Sequence, residues 1–297
     1  MKIVQISDTH IFNLKRHDVY RIQFKKIYKT LEEIKPDRIA IIGDTLNDFV
    51  SITNEAKLLV GEFLNRLSDY APIILVYGNH ECMKSNHSRI NSIKTVVELL
   101  NNKRITYFDK SGFYEDGDII WVNYEHLAKN VDPWNNDDIE IPKNVNDKIT
   151  IGLFHDPVYE SKTYQNQKFN IDKYKPTSYF DKNNFLFCGD IHDFQYLRED
   201  KSAAYSSSTI QIDYSENPIM HGFLLWEINS KTDFSSTYYD IPNEYNYINL
   251  DIKKDFNYDN IDLDNEHITH HSEIKVKWYD YIPNLDFSNE MKIRQYI

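Results

Sequence analysis

The chain is short of cysteine, glycine, basic charge and long apolar runs, and each shortage excludes something. Only two cysteines occur in 297 residues, Cys82 and Cys188. Two thiols so far apart give no disulfide framework and point to a reducing compartment. No uncharged apolar stretch approaches the roughly 18 residues that a membrane span needs, so no membrane association is expected. The opening segment, Met1 to Asp8, has too short an apolar run for a secretory signal, and no small-residue cleavage site follows it. An intracellular protein of the cytoplasm, nucleoid or nucleus is expected, not a secreted one. Lys and Arg number 34 against 46 Asp and Glu, a net charge of −12. That excludes nonspecific nucleic-acid binding over the whole surface, but not a local basic site or a partner that supplies the grip. With 41% hydrophobic and 27% charged residues, the composition is globular.

What is present is a regular alternation of short apolar runs and helical periodicity. Residues 3–6 and 38–42, and 73–77 after Pro72, read as strands. Tyr20, Phe24, Ile27, Leu31 and Ile34 share one helix face, and Pro36 stops that helix. Ala56, Leu59, Val60, Phe63, Leu64 and Leu67 mark a second helix, and Ile93, Val96, Val97 and Leu100 a third. This order implies a parallel sheet with crossover helices. Beyond residue 104 the pattern turns β-rich, with strands at 119–123, 149–154, 185–188 and 223–228. Residues 130–147 read as a loop, and 166–184 as a polar stretch with a short helix. Two sheets packed face to face with helices outside accommodate both halves. Three segments are expected: a main domain over 1–240, an acidic linker over 241–272, and a flap or the start of a truncated cap over 273–297. The linker carries five acids and no base between Asp255 and Glu266. A strand is expected at 273–279 and a helix at 288–297.

Five polar motifs each follow a predicted strand: Asp8-Thr9-His10, Gly43-Asp44, Gly78-Asn79-His80-Glu81, His155-Asp156 and Gly189-Asp190-Ile191-His192. Ligands bind outside the carboxyl ends of strands in open α/β sheets, so the five can converge on one site. Asp8, His10, Asp44, Asn79, His155, Asp190 and His192 offer only oxygen and imidazole nitrogen. That donor set suits Mn²⁺, Mg²⁺, Fe²⁺ or Zn²⁺. Seven ligands exceed one tetrahedral centre and fit two metals sharing a carboxylate. Each motif alone has a plainer reading, as a turn or a capped helix. Their order and shared position carry the metal reading.

These motifs resemble the calcineurin-like metallophosphoesterase superfamily over about residues 1–230. The resemblance implies a four-layer α/β/β/α sandwich of two packed mixed sheets, with a dinuclear centre. By motif, Asp8, His10 and His192 hold one metal and Asp44 bridges. Asn79, His155 and the Asp190 position hold the other. His80 is the non-ligand histidine that faces the scissile phosphate, where it stabilises charge or protonates the leaving oxygen.

Within the superfamily, the phosphoprotein phosphatases carry an arginine after the second motif. Here Thr45-Leu46-Asn47-Asp48-Phe49 follows instead. Glu81, which those phosphatases share, points the other way. The chain is most similar to the SbcD-type nuclease subunit of DNA double-strand-break repair complexes, including viral and phage versions. The segments that carry this are His17 to Tyr20, Glu55, Arg89 to Ile93, and Ser206 to Trp226. The resemblance implies a Mn²⁺-dependent DNA nuclease of recombination and repair, exonuclease or endonuclease. It also implies a cap, an SMC-like ATPase partner and room for a homodimer. Asn47 and Arg89 are the candidate substrate-binding residues. Asn47 stands where the nuclease branch often has histidine; Asn donates hydrogen bonds but does not transfer protons near neutral pH. Asp190 stands where the family usually has His, which puts three carboxylates in the ligand set and favours Mn²⁺ or Mg²⁺ over Zn²⁺. Lys15, Arg16, Arg21, Lys84, Arg89 and Arg198 lie near the motifs and are candidate phosphate contacts. Two other readings stay open: a phosphatase or phosphodiesterase on nucleotides or phosphoproteins, and a catalytically weak scaffold. His221 reads as a buried hydrogen-bonded histidine, and Cys82 and Cys188 as small buried hydrophobes.

Overall fold

The computed structural model describes residues 1–86, 88–127, 131–166, 168–252 and 271–278. In the first sheet, β1 (Lys2–Ile6), β2 (Arg38–Ile42), β3 (Ile73–Val76) and β4 (Ile105–Phe108) run parallel. They are joined by α1 (His17–Ile34), α2 (Asn54–Tyr70) and α3 (Ser92–Leu100). The second sheet contains β5 (Gly112–Asp116), β6 (Ile119–Tyr124), β7 (Ile149–His155), β8 (Phe185–Gly189), β9 (Gln195–Tyr196) and β10 (Ala203–Tyr205). Its order is β5-β6-β7-β8-β10-β9, with antiparallel edges around a parallel centre. The chain then returns to the first sheet as β11 (Gly222–Ile228) and β12 (Phe234–Asp240), antiparallel beside β1.

The layers follow from period-2 alternation along strands buried on both faces. Ile39 and Ile41 join the core beneath the helices, whereas Ala40 and Ile42 join the core between the sheets. Trp121, Phe185 and Phe187 fill that middle core from the other side, while Ile120, Leu186 and Cys188 face outward. The helices begin and end on local signals. The Thr53 hydroxyl caps α2 by accepting from the Ala56 N–H (3.2 Å), and the Asn91 side chain caps α3 at the Lys94 N–H (3.0 Å). Lys35 turns left-handed (φ 53°) to close α1 just before Pro36.

The expected four-layer sandwich is present. Its outer layer over the second sheet is built from loops and two short 3₁₀ turns, Pro133–Asn135 and Thr177–Phe180, with no α-helix among the described residues. Those segments are polar and carry Pro133, Pro142, Pro157 and Pro176, which interrupt helical runs. They seal the sheet with Trp134, Val145, Val158 and Phe180. Within the segment read as a linker, β13 (Tyr247–Ile252) pairs in parallel with β14 (Glu273–Trp278). The acidic run and the helix read over 288–297 lie outside the described residues.

One polar side chain ties the two sheets together. Gln5 on β1 is fully buried. Its amide donates to the carbonyls of Cys188 (3.0 Å) and Ala204 (3.1 Å) in the second sheet and accepts from the Trp226 indole (2.9 Å) in the first. Gln5→Leu leaves the Trp226 indole N–H unpaired in the core and removes both bonds to the second sheet. The expected loss is about 2–4 kcal/mol of unfolding free energy by urea denaturation; a loss under about 1 kcal/mol contradicts the staple.

Candidate metal centre

Asp8 and His10 follow β1, Asp44 follows β2, Asn79 and His80 follow β3, His155 ends β7, and Asp190 and His192 follow β8. The backbone is left-handed at Asp8 (φ 51°), His10 (47°), Asp44 (49°) and Asp190 (91°). Each such non-glycine residue costs about 1–3 kcal/mol, and such residues gather at functional sites. Cross-loop hydrogen bonds hold them: His10 N–H to the Asp44 carbonyl (2.8 Å), Ile11 N–H to the Thr45 carbonyl (2.9 Å), and Asp190 N–H to both Asp8 carboxylate oxygens (3.1 Å).

The side chains meet as two overlapping clusters. In the first, the Nε2 atoms of His10 and His192 are 3.0 Å apart, and Asp8 Oδ1 lies 3.9 and 3.7 Å from them. In the second, His155 Nε2 lies 3.2 Å from Asp44 Oδ2, 4.0 Å from Asp8 Oδ1 and 3.8 Å from Asp190 Oδ1. Asp44 Oδ2 is also 3.6 Å from His10 Nε2, so it stands between the clusters. Asp190 donates no bond from its carboxylate but accepts the Asn79 amide N–H at 2.9 Å. Gly78 makes this closeness feasible, because a Cβ there would sit 2.2 Å from Asp44 Oδ1 and 2.5 Å from His155 Nε2.

Hydrogen bonds fix which atoms face inward. His155 Nδ1–H donates to the Ile42 carbonyl (2.7 Å), which leaves the Nε2 lone pair toward three carboxylates. His192 Nδ1–H donates to Glu216 Oε1, which directs Nε2 the same way. With the Asn79 amide N–H on Asp190, Asn79 Oδ1 is buried without a hydrogen-bond partner, as is His155 Nε2. A buried lone pair facing carboxylates, as His155 Nε2 does, is satisfied only by a proton or a cation. The donor set therefore fits divalent cations with a taste for oxygen and imidazole. By position, Asp8, His10 and His192 can hold one and Asn79, His155 and Asp190 a second, with Asp44 between.

The electrostatics agree. Burial, joined by the charges of Asp8, Asp44 and Asp156, lifts the Asp190 carboxyl to about 6 against the pull of His155. Burial alone would lower His192, but Glu216, Asp8 and Asp190 outweigh it and raise it to about 10. Burial pushes His10 well below the usual imidazole range.

The remaining candidates fall at different distances. His80 is exposed at the mouth, its ring edge-on to His10 (4.7 Å between centroids), and its Nδ1–H donates to the Asn47 carbonyl (2.8 Å). Asn47 thus meets the site through its main chain. Arg89 is not in the cluster: it lies on the rim, 5.4 Å over the Phe49 ring, and lines a groove with Tyr77, Asn91 and Lys94. Arg16, Arg21 and Arg198 are engaged elsewhere, with the Gln211 and Tyr245 carbonyls, Glu62, and the Phe180 carbonyl and Asp181 respectively. Lys15, Lys84 and Arg89 are exposed. His221 is buried between the Ser208 hydroxyl and the Asn217 carbonyl, and both cysteines are free and buried.

Two acidic residues that sequence reading gave no place in the centre hold it together. Glu81 is fully buried, and its carboxylate accepts from the N–H groups of Thr45 (2.8 Å), Leu46 (3.0 Å) and Gly78 (2.9 Å). It ties the second loop to the third. Burial, with the Asp44 charge, lifts it to about 7. Its spacing from Gly78 is that of a capping box, a usable signal. Glu216 had none, standing 24 residues beyond His192.

Two sheets with this cluster at their shared edge define a phosphoesterase class. Residues 1–194 match the calcineurin-like phosphoesterase family model, and the chain belongs to that family. It is 32% identical over 259 residues to the uncharacterized protein R555 of Acanthamoeba polyphaga mimivirus, covering 82% of this chain and 18% of that one. It is 24% identical to the DNA double-strand break repair protein Mre11 of Methanococcus maripaludis, over 80% of this chain and 65% of that one. It is 27% identical to the protein of that name from Methanocaldococcus jannaschii, over 44% and 41%. The chain thus spans less than two thirds of the length of each of these relatives.

Two outcomes test the centre. Protons on Asp190 (about 6) and His192 (about 10) compete with a cation, so each is displaced more easily as pH rises. Mn²⁺ affinity by titration calorimetry therefore rises between about pH 6 and 8; a flat or falling profile contradicts this. Asp190→His removes one of the three clustered carboxylates, and Zn²⁺ then gains on Mn²⁺ in competition binding. An unchanged preference shows that Asp190 does not set it.

Proposed function

We propose that the chain is a divalent-metal-dependent phosphodiester hydrolase acting on DNA inside the cell, a nuclease of recombination or repair with Mn²⁺ as the favoured ion. The observation that carries the hydrolase reading is the meeting of Asp8, His10, Asp44, His155 and His192, from four separate strand ends, in overlapping groups of three whose ligand atoms lie within 4.8 Å of one another. Two bound cations supply Lewis acidity at phosphoryl oxygens and a water made acidic enough to attack near neutral pH.

The chain's own groups do the rest. Asp44 Oδ1 accepts the His80 N–H (2.9 Å) and so sets the loop that presents His80. With Nδ1–H on the Asn47 carbonyl, His80 offers Nε2 at the open mouth. There it exchanges a proton with the leaving oxygen or stabilises its charge. Phe154, Tyr205 and Ile191 belong to the packed core beside the second-sheet loops and keep that side of the site rigid.

DNA is favoured by the Mre11 relatives and by the absence of an arginine after Asp44 of the phosphoprotein-phosphatase kind. The local cation supply is thin, since Arg16, Arg21 and Arg198 make structural contacts. Lys15 and Arg89 are exposed and are the side chains proposed to meet backbone phosphates. An SMC-like ATPase is the partner proposed to complete the grip.

The test is cleavage of single- and double-stranded DNA, a phosphodiester dye and a phosphomonoester dye with Mn²⁺, for wild type and His80→Asn. The expected result is DNA and diester cleavage that falls about 10²- to 10⁴-fold in the variant with metal retained. Monoester turnover alone supports a phosphatase, and inactivity on every substrate supports a scaffold.

A further inference from the structure

Behind His192 lies a buried chain of polar groups that ends at the C-terminal strand pair. Glu216 is buried, accepts His192 Nδ1–H on Oε1, and accepts the Ile212 N–H on Oε2 at 3.0 Å. Both carboxylate oxygens are thus used. Its own carbonyl accepts the Gln211 amide N–H at 3.3 Å. Gln211 is fully buried and embraces the first residue of β13, donating to the Tyr247 carbonyl (2.9 Å) and accepting the Tyr247 N–H (2.7 Å). Arg16 locks the arrangement. Its guanidinium donates to the carbonyls of Gln211 (2.6 Å) and Tyr245 (2.7 Å) and lies 4.8 Å over the Tyr247 ring.

We propose that Glu216 is the positioning residue of His192, fixing the imidazole so that Nε2 faces a cation, and that Gln211 holds the Glu216 loop in register through β13. The proposal rests on the two-cation reading of the site. A carboxylate on the far nitrogen of a ligating histidine sets its tautomer, its ring orientation and its basicity. Here that carboxylate is delivered by residues 211–216, which are anchored by Arg16, by β13 and by the packing of Ile212 on the core beneath the helices. The cation held by Asp8, His10 and His192 thereby depends on the strand that follows the phosphoesterase sheets, while the cation at Asn79, His155 and Asp190 does not.

The test is Mn²⁺ binding to the full chain by calorimetry with a competing chelator, alongside metal-free thermal melting. Variants are Glu216→Leu, which keeps volume and removes the acceptor, Glu216→Gln, which keeps an acceptor, and Gln211→Ala. Wild type is expected to bind two ions. Glu216→Leu weakens one of them about 10- to 100-fold and leaves the other unchanged. Glu216→Gln gives a smaller loss at the same ion, and Gln211→Ala weakens that ion too. Wild-type affinity at both ions in Glu216→Leu overturns the proposal, as does equal weakening of both ions with a collapsed melting temperature. If Glu216→Leu does not fold, Glu216→Gln decides, with loss at one ion supporting and wild-type affinity at both overturning. Unchanged affinity in Gln211→Ala overturns the link to β13. A wild type that binds no Mn²⁺ overturns the two-cation reading, and the proposal with it.

Discussion

Three carboxylates crowd one buried imidazole nitrogen, and the rest of the molecule is arranged around that fact. Asp8, Asp44 and Asp190 each place an oxygen within 4.0 Å of His155 Nε2. With its Nδ1–H held by the Ile42 carbonyl, His155 turns Nε2 to them, an atom that takes either a proton or a cation, and against burial Asp44, Asp8 and Asp190 raise its basicity. Left to itself, such a cluster is costly, since buried like charges raise one another's pKa and burial penalises each. A divalent cation turns the same repulsion into coordination.

The fold prepares this cluster in the backbone before any ligand arrives. Left-handed turns at four candidate ligand positions and the bare Gly78 bring loops from two different sheets into contact. Glu81 then bonds the Asp44 loop to the Asn79 loop, and the Gln5 amide fastens β1 to the carbonyls of Cys188 and Ala204 in the second sheet. Geometry that a metal needs to within fractions of an ångström is thereby supplied by rigid elements. His80 stands exposed at the mouth, braced by the Asn47 carbonyl and the Asp44 carboxylate.

Much of this was legible in the sequence because each candidate ligand sits just after an apolar strand, where parallel sheets put their sites. Asp190 was legible for the same reason, and the structure places its carboxylate between Asn79 and His155. What was not legible depends on direction rather than on position. Arg16 lies beside the first motif in the chain, but its guanidinium turns to the Gln211 and Tyr245 carbonyls. Glu216 has no periodic or spaced relation to His192, since a loop closed by tertiary contacts brings them together. The outer layer likewise carries no helical period, because its apolar anchors, such as Val158 and Phe180, stand alone in polar, proline-bearing segments.

The central claim is that these loops hold two cations that share Asp44. Its most direct measurement is anomalous diffraction at the manganese edge from crystals soaked in Mn²⁺. Two peaks are predicted, one among Asp8, His10 and His192, the other among Asn79, His155 and Asp190, with Asp44 Oδ2 between them. No peak at these residues, or a single peak with the His155 cluster bare, would contradict it.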